Sequence, residues 1–252
     1  MSVAFDHLVV LVHDLEATAR DYERLGFTLS ERHDAMVTGV ANRFVSFADG
    51  SYLLLSALGD PASPGAKAYR LAPFLAEGEG LVDYAYVVDD VRAAAARLRA
   101  AGLPAKGPLR TIGALIGGGA WSLDLLLTGK GSGGEDALPF LVSDVEGRSH
   151  RIPPASVHRN GATGIAGVRL RAASAASIVR ALASMTGEEL EPDASTAGAK
   201  SRYRLGSTWL EIVEDGAIAP GHGRLVEAVL TTDGSGVRPD PALLRRAAIA
   251  FS

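Results

Sequence analysis

The residue types suited to chemistry stand singly along the chain. His7 follows Asp6 at the head of the apolar run from Leu8 to Val12. An imidazole there serves as an acid–base group or a metal ligand if it faces a pocket; otherwise it bonds a neighbour such as Asp6. Asp83 lies between Val82 and Tyr84 at a strand start. A carboxylate buried there must be ligated, ion-paired or placed at a rim. Glu211 alternates with Leu210 and Ile212 and so shares a strand face with Trp209 and Val213. Arg43 offers a two-pronged fork for a carboxylate, and Asn42 beside it is a turn former or a polar anchor. Tyr84, Tyr86, Trp121 and Phe140 suit the wall of a cavity for a small organic molecule, or a packed core. His158 precedes Asn160-Gly161 in a loop-like motif, where binding residues often sit.

Composition narrows the chemistry. The chain has 252 residues, 29 acidic against 25 basic, and no cysteine. Thiolate metal sites, iron–sulfur clusters, disulfides and cysteine nucleophiles are therefore excluded. A net charge of −4 argues against nucleic acid as the main partner. No apolar run reaches the ~18 residues of a membrane span. The start, Met1 to His7, lacks the basic and apolar regions of a secretion signal, so a cytoplasmic protein is expected. Gly117-Gly118-Gly119 is too isolated for a dinucleotide fingerprint, and Gly129-Lys130 lacks the spacing of a phosphate loop.

The positioning elements come from an internal repeat. Residues 7–27 and 83–103 align without a gap: an apolar strand, an Asp (Asp14, Asp90), a helical stretch, then Gly26 or Gly102. Each Asp sits where a helix N-cap belongs and each Gly where a helix ends. A weaker copy lies within 165–187, with Ala166 set opposite His7, its helix starting near Ser174 and a two-residue insertion. Strands are expected at Ala35–Thr38, Asn42–Phe47 and Tyr52–Ser56 after the first helix. After the second they fall at Leu109–Ile112, Trp121–Thr128 and Leu138–Val142. After the third they fall at Ser201–Leu205 and Thr208–Val213. A strand at Arg224–Thr232 and a helix at Pro241–Ala250 close the chain. Modules at 1–58 and 80–145 would pair, with residues 146–252 forming a third, partial module.

Asp-His at the head of such a βαβββ repeat resembles the vicinal oxygen chelate, or glyoxalase-like, superfamily. Gly78-Glu79-Gly80-Leu81-Val82, Leu138-Pro139-Phe140-Leu141-Val142, His158 to Ile165 and Tyr203-Arg204-Leu205-Gly206 are similar to its longer bacterial glyoxalase-like branch. The resemblance implies an α+β protein whose repeated modules form a curved mixed sheet, a half-barrel, with helices on the outer face. It implies a divalent metal (Zn, Mn, Fe or Ni) held by His and Glu from the first and last strands of each module. It also implies a homodimer.

Carried over residue by residue, the resemblance places His7 on a first-strand ligand position. Asp83 falls on the matching position of module two and Glu211 on the last-strand Glu position of module three. Leu54 occupies the last-strand position of module one, where metal-binding members have Glu, and it cannot ligate. The expected function is glyoxalase-like chemistry on a small organic molecule, as lyase, isomerase or dioxygenase, with a degenerate metal site. His7 would be ligand or acid–base group, with Asn42, Arg43, Tyr84, Trp121, Phe140 and His158 holding the substrate. The alternative is a non-catalytic protein that sequesters a small molecule in the same cavity.

Overall fold

The computed structural model describes residues 3–35, 39–60, 62–193, 200–234 and 239–252. Its elements follow the apolar patterning. They are β1 (Val3–Val12), α1 (Leu15–Arg24), β2 (Val40–Ser46), β3 (Tyr52–Leu58), α2 (Pro64–Ala68) and β4 (Gly80–Val88). Next come α3 (Val91–Ala100), β5 (Lys106–Ala114), β6 (Ala120–Leu127), β7 (Phe140–Glu146) and α4 (Arg148–Arg151). The last part holds β8 (Ala162–Ala172), α5 (Ala175–Thr186), β9 (Lys200–Leu205), β10 (Thr208–Glu214), β11 (Arg224–Thr232) and β12 (Ile249–Phe251). Short 3₁₀ helices lie at Ala72–Glu77 and Pro241–Leu243. Most of the strand expected at Ala35–Thr38 lies outside the described residues.

The repeat is built as its caps require. Asp14 accepts from the Ala17 amide, Asp90 from those of Arg92 and Ala93, and Ser174 from that of Ser177. Each satisfies donors that the first helical turn leaves open. Within each repeat a first strand pairs in parallel with a later one: β1 with β3, β4 with β7, and β8 with β10. β1 and β4 then pair antiparallel at the centre of a seven-stranded sheet, ordered β2-β3-β1-β4-β7-β6-β5.

A second sheet, β12-β11-β8-β10-β9, repeats the plan. Here β8 and β11 are the central antiparallel pair, and β12 runs parallel to β11 as β3 does to β1. The C-terminal segment is thus a stripped-down fourth module. The helix expected over Pro241–Ala250 does not form. Arg245 and Arg246 take left-handed backbone angles, φ 50° and 61°, and turn the chain into β12.

The sheets curl, and their helix-bearing sides share one core. Leu8 and Val10 of β1, Tyr84 and Tyr86 of β4, Leu98 of α3, Leu182 of α5 and Leu210 and Ile212 of β10 belong to it. Arg97 of α3 donates to the Ser184 and Met185 carbonyls at the end of α5. Tyr86 reaches across to Thr208 at 2.9 Å. Thr208 already donates to the Leu205 carbonyl, so Tyr86 is the donor.

The edges of the large sheet are drawn together by the strap between α1 and β2. Ser30 pairs with Phe44 of β2, while Asp34 pairs with Leu115 just beyond β5. The Ala35 amide donates to Ala114 and the Ile116 amide to His33. A sheet that would stay open on one side is closed by one short crossing of chain, which also covers its edges. Tyr86→Phe keeps the ring and removes one buried bond between the half-barrels. It is expected to lower the unfolding free energy by about 1 kcal/mol in urea titration, with no change in slope.

Candidate functional site

On β1 the side chains alternate. Leu8, Val10 and Val12 enter the shared core, whereas His7, Val9 and Leu11 face into the curl of the large sheet. Ala85, Phe140, Val142, Trp121 and Leu123 come from β4, β7 and β6 to the same side. Phe140, Val142, Trp121 and Leu123, with His7 and Val9, line a cavity of about 260 Å³, which adjoins an outer cleft of about 440 Å³. Arg32, Asn42, Leu54, Tyr69, Thr111 and Trp121 line both.

His7 is held at the floor from three sides. Its ring stacks on Tyr52 with centroids 4.6 Å apart, and the Phe140 ring meets it at 5.3 Å and 75°. Its Nδ1 lies 2.8 Å from Asp6 Oδ2. Adjacent strand residues normally point to opposite faces, so this bond needs a break in the pleat. The break is a bulge: β1–β4 pairing steps from Phe5↔Tyr86 to His7↔Ala85 and leaves Asp6 unpaired.

Asp6 has no exposed surface. Arg151 of α4 grips it with Nη1 at 3.1 Å and Nη2 at 3.2 Å, and Arg148 reaches it at 2.8 Å. Arg151 also donates to Tyr52 Oη at 2.9 Å and, through Nε, to Asp144 at 2.8 Å. Burial alone would raise the Asp6 pKa, but the His7 bond and the Arg151 charge outweigh it, and the carboxyl sits far below the usual range. Asp6 is therefore ionised and accepts the His7 Nδ1–H. No bond from Nε2 to the protein is found among the described residues, and His7 lines the cavity.

Two further arginines edge the space. Arg32, carried by the strap, lies 5.2 Å from the Phe44 ring centre and 4.8 Å from that of Trp121. It grips both Asp34 oxygens, at 2.8 and 2.9 Å, and donates to the Arg151 carbonyl. Arg70 covers Phe140 at 4.7 Å and pairs with Asp83 at 2.6 Å.

Of the residues expected at a site, His7, Asn42, Trp121 and Phe140 are brought together at this cavity. Asn42 Oδ1 takes the Ser56 hydroxyl at 2.7 Å. Arg43 is directed elsewhere, to Glu16 at 2.6 Å and Glu31 at 3.2 Å. Tyr84 points into the shared core and donates to the Ala137 carbonyl. His158 is a buried joint: its Nδ1 accepts from the Thr28 amide, its Nε2 donates to the Ser46 carbonyl, and Phe27 and Phe47 pack on it edge-on. The residues that sequence reasoning passed over are Arg32, Tyr52, Arg70 and Arg151. Only their residue type signalled them, since their positions depend on distant contacts.

The three carboxylate or imidazole groups expected to share a metal do not converge. Asp83 is buried and neutralised by Arg70. Glu211 lies on the second sheet between Arg169 at 2.5 Å and Arg202 at 2.9 Å. Burial would raise its pKa, but the two guanidiniums hold it below the ordinary value. Val9↔Leu54 and Arg169↔Glu211 are equivalent rungs, so Leu54 does occupy the place of Glu211. By the same rungs Gly167, not Ala166, stands for His7; a Cβ there would collide with Trp209. Among the described residues no three His, Cys, Asp or Glu side chains gather closely enough to hold a metal ion. The donor set therefore does not fit the divalent metal that the fold implies, because catalytic sites usually supply three protein ligands.

The model of the glyoxalase-like domain family matches residues 5–186. The chain belongs to that family. Its fold is that of the vicinal oxygen chelate superfamily. A search of curated proteins gave no match. Among solved structures, a hypothetical protein from Staphylococcus aureus is 13% identical with a TM-score of 0.72, covering 100% of this chain and 99% of that one. A mutant 4-hydroxymandelate synthase from Streptomyces coelicolor is 14% identical with a TM-score of 0.55, covering 92% and 72%. A xylose isomerase-like TIM barrel/4-hydroxyphenylpyruvate dioxygenase fusion protein is 16% identical with a TM-score of 0.55. This family member covers 37% of the fusion protein, and 92% of its own length is aligned. At such identities these likenesses speak for the fold.

Two outcomes follow from the geometry. Arg151→Met leaves Asp6 with one half-exposed arginine beside its His7 bond and is expected to cost about 3–5 kcal/mol in urea unfolding. Adding Asp6→Asn should recover part of that loss. His158 is held neutral by burial, which lowers its pKa below the ordinary 6.5. The unfolded ring takes up its proton first, so stability is lost as pH falls through 6.5 toward the lowered folded value. Urea titrations at pH 7.5 and 5.5 should show the loss, at most about 1.4 kcal/mol per pH unit from one group. His158→Gln should flatten it.

Proposed function

We propose that this glyoxalase-like protein binds a small, flat organic molecule in the half-barrel cavity without a metal. One observation carries the reading: His7 Nε2 is open to a cavity walled by aromatic rings, while the position that would complete a metal site is Leu54. Flat rings of Phe44, Tyr52, Trp121 and Phe140 favour a flat partner, and His7 and Asn42 supply polar anchors that fix its orientation. The dioxygenase and synthase neighbours share the fold, which by itself does not carry their reactions here.

A second reading rests on the Asp6–His7 bond. A carboxylate that fixes an imidazole tautomer and faces its other nitrogen to a bound molecule is the arrangement of a general base. In that version the bound compound loses a proton to Nε2, and turnover falls about 10²–10⁴-fold in His7→Ala.

The deciding experiment is a thermal-shift and calorimetric screen of small aromatic compounds on protein dialysed against EDTA. At least one compound should bind the metal-free protein, and His7→Ala should weaken it about tenfold, the worth of one lost hydrogen bond. A compound that binds or reacts only after stoichiometric Mn²⁺, Zn²⁺, Fe²⁺ or Ni²⁺ has been loaded would overturn the proposal.

A further inference from the structure

The charges around this cavity point to a narrower ligand class, an inference that rests on the binding role just proposed. Four guanidiniums lie in or directly behind its wall: Arg32, Arg70, Arg148 and Arg151. Four carboxylates meet them. Asp34 takes Arg32 through both oxygens, and Asp83 takes Arg70. Asp6 and Asp144 take Arg148 and Arg151 together.

On Arg151 the pairing also uses up the hydrogens. Arg151 spends Nε on Asp144, Nη1 on Asp6 and Tyr52, and Nη2 on Asp6 and Asp144, which accounts for all five of its N–H groups. Arg32 commits Nε, Nη1 and Nη2 to protein acceptors and lies over two aromatic rings. A carboxylate entering this space would add a charge with no countercharge left for it. Burying an uncompensated ion is far more costly than burying a neutral group that forms one hydrogen bond. An ammonium group meets the same obstacle, because every nearby carboxylate is already shared.

His7 sets the remaining requirement. Asp6 accepts the Nδ1–H, so Nε2 is the ring nitrogen turned to the cavity, and in the neutral tautomer that this bond selects it is a lone-pair acceptor. Its complement is a donor on the ligand.

We infer that the cavity selects an uncharged aromatic molecule bearing a hydroxyl, which donates to His7 Nε2, and rejects the carboxylated and aminated forms of the same ring. The test is isothermal titration of the full EDTA-treated protein with p-cresol, 4-hydroxybenzoate and tyramine, which share a phenol and differ in charge. The p-cresol should bind at least tenfold more tightly than either ion. Asp34→Asn leaves Arg32 without its carboxylate; it should improve 4-hydroxybenzoate at least tenfold relative to p-cresol, while p-cresol itself still binds. Preference of the unaltered protein for either ion overturns the inference and leaves the metal-free binding role standing. Unchanged selectivity in Asp34→Asn overturns the charge-balance argument. Failure of all three to bind at millimolar concentration overturns the inference, and the screen above then judges the binding role separately.

Discussion

A carboxylate without access to water cannot stay charged unless the protein surrounds it with donors, and Asp6 is such a group. Its needs reach far along the chain. Two arginines from the four-residue α4 must come back to the first strand, and Asp144 must steady them in turn. The Arg151 carbonyl then accepts from Arg32, which brings the strap across the barrel opening. One buried charge thus joins β1, β7, α4 and the strap. The imidazole beside it inherits a fixed orientation from the same bonds.

The bulge at Asp6 makes this arrangement available. In an unbroken strand Asp6 and His7 would face opposite sides of the sheet, and one of them would be lost to the shared core. The extra residue lets one side chain take the countercharges while the other keeps its free nitrogen at the cavity. The same network explains why the floor is polar yet electrically balanced, whereas Val9, Leu54, Leu123 and Val142 are apolar. A metal would need anionic donors free of such partners. Here the wall has an aliphatic side chain, Leu54, at one such position, and Asp83 is tied to Arg70.

Much of the fold was legible because its signals are local. Asp14 and Asp90 cap helices as their positions suggested, and Arg224–Thr232 is a strand over the expected range. Tyr84 and Tyr86 suited cavity wall and core alike, because residue type does not say which face of a strand is the cavity, and they took the core. The C-terminus misled for a physical reason. Pro241-Ala-Leu-Leu-Arg-Arg-Ala-Ala has helical composition, yet it must turn the chain so that Ile249–Phe251 can pair beside β11, and that pairing outweighs propensity. Arg151, 145 residues from Asp6 in sequence, left no local mark at all. Nor did the bulge, since it exists only relative to a partner strand. His7 was visible as a candidate; what it faces was set by contacts that no window of sequence contains.

The second sheet carries the same rungs with different side chains. Equivalent rungs carry His7 and Tyr52 in one sheet, Gly167 and Trp209 in the other. The indole lies over the glycine, so a side chain at that position has no room. Two residues along, Val9 and Leu54 correspond to Arg169 and Glu211, and Arg169 also pairs with Glu227 of β11. Arg202 adds a second cation to Glu211 and covers the Trp209 ring at 4.4 Å. In one sheet the inner face keeps short or flat apolar groups and an open nitrogen. In the other, long charged side chains lie across the face and satisfy one another. A duplicated scaffold thereby separates two tasks, since the ion-paired face stabilises its sheet by its own contacts and the cavity face is left able to take up something else.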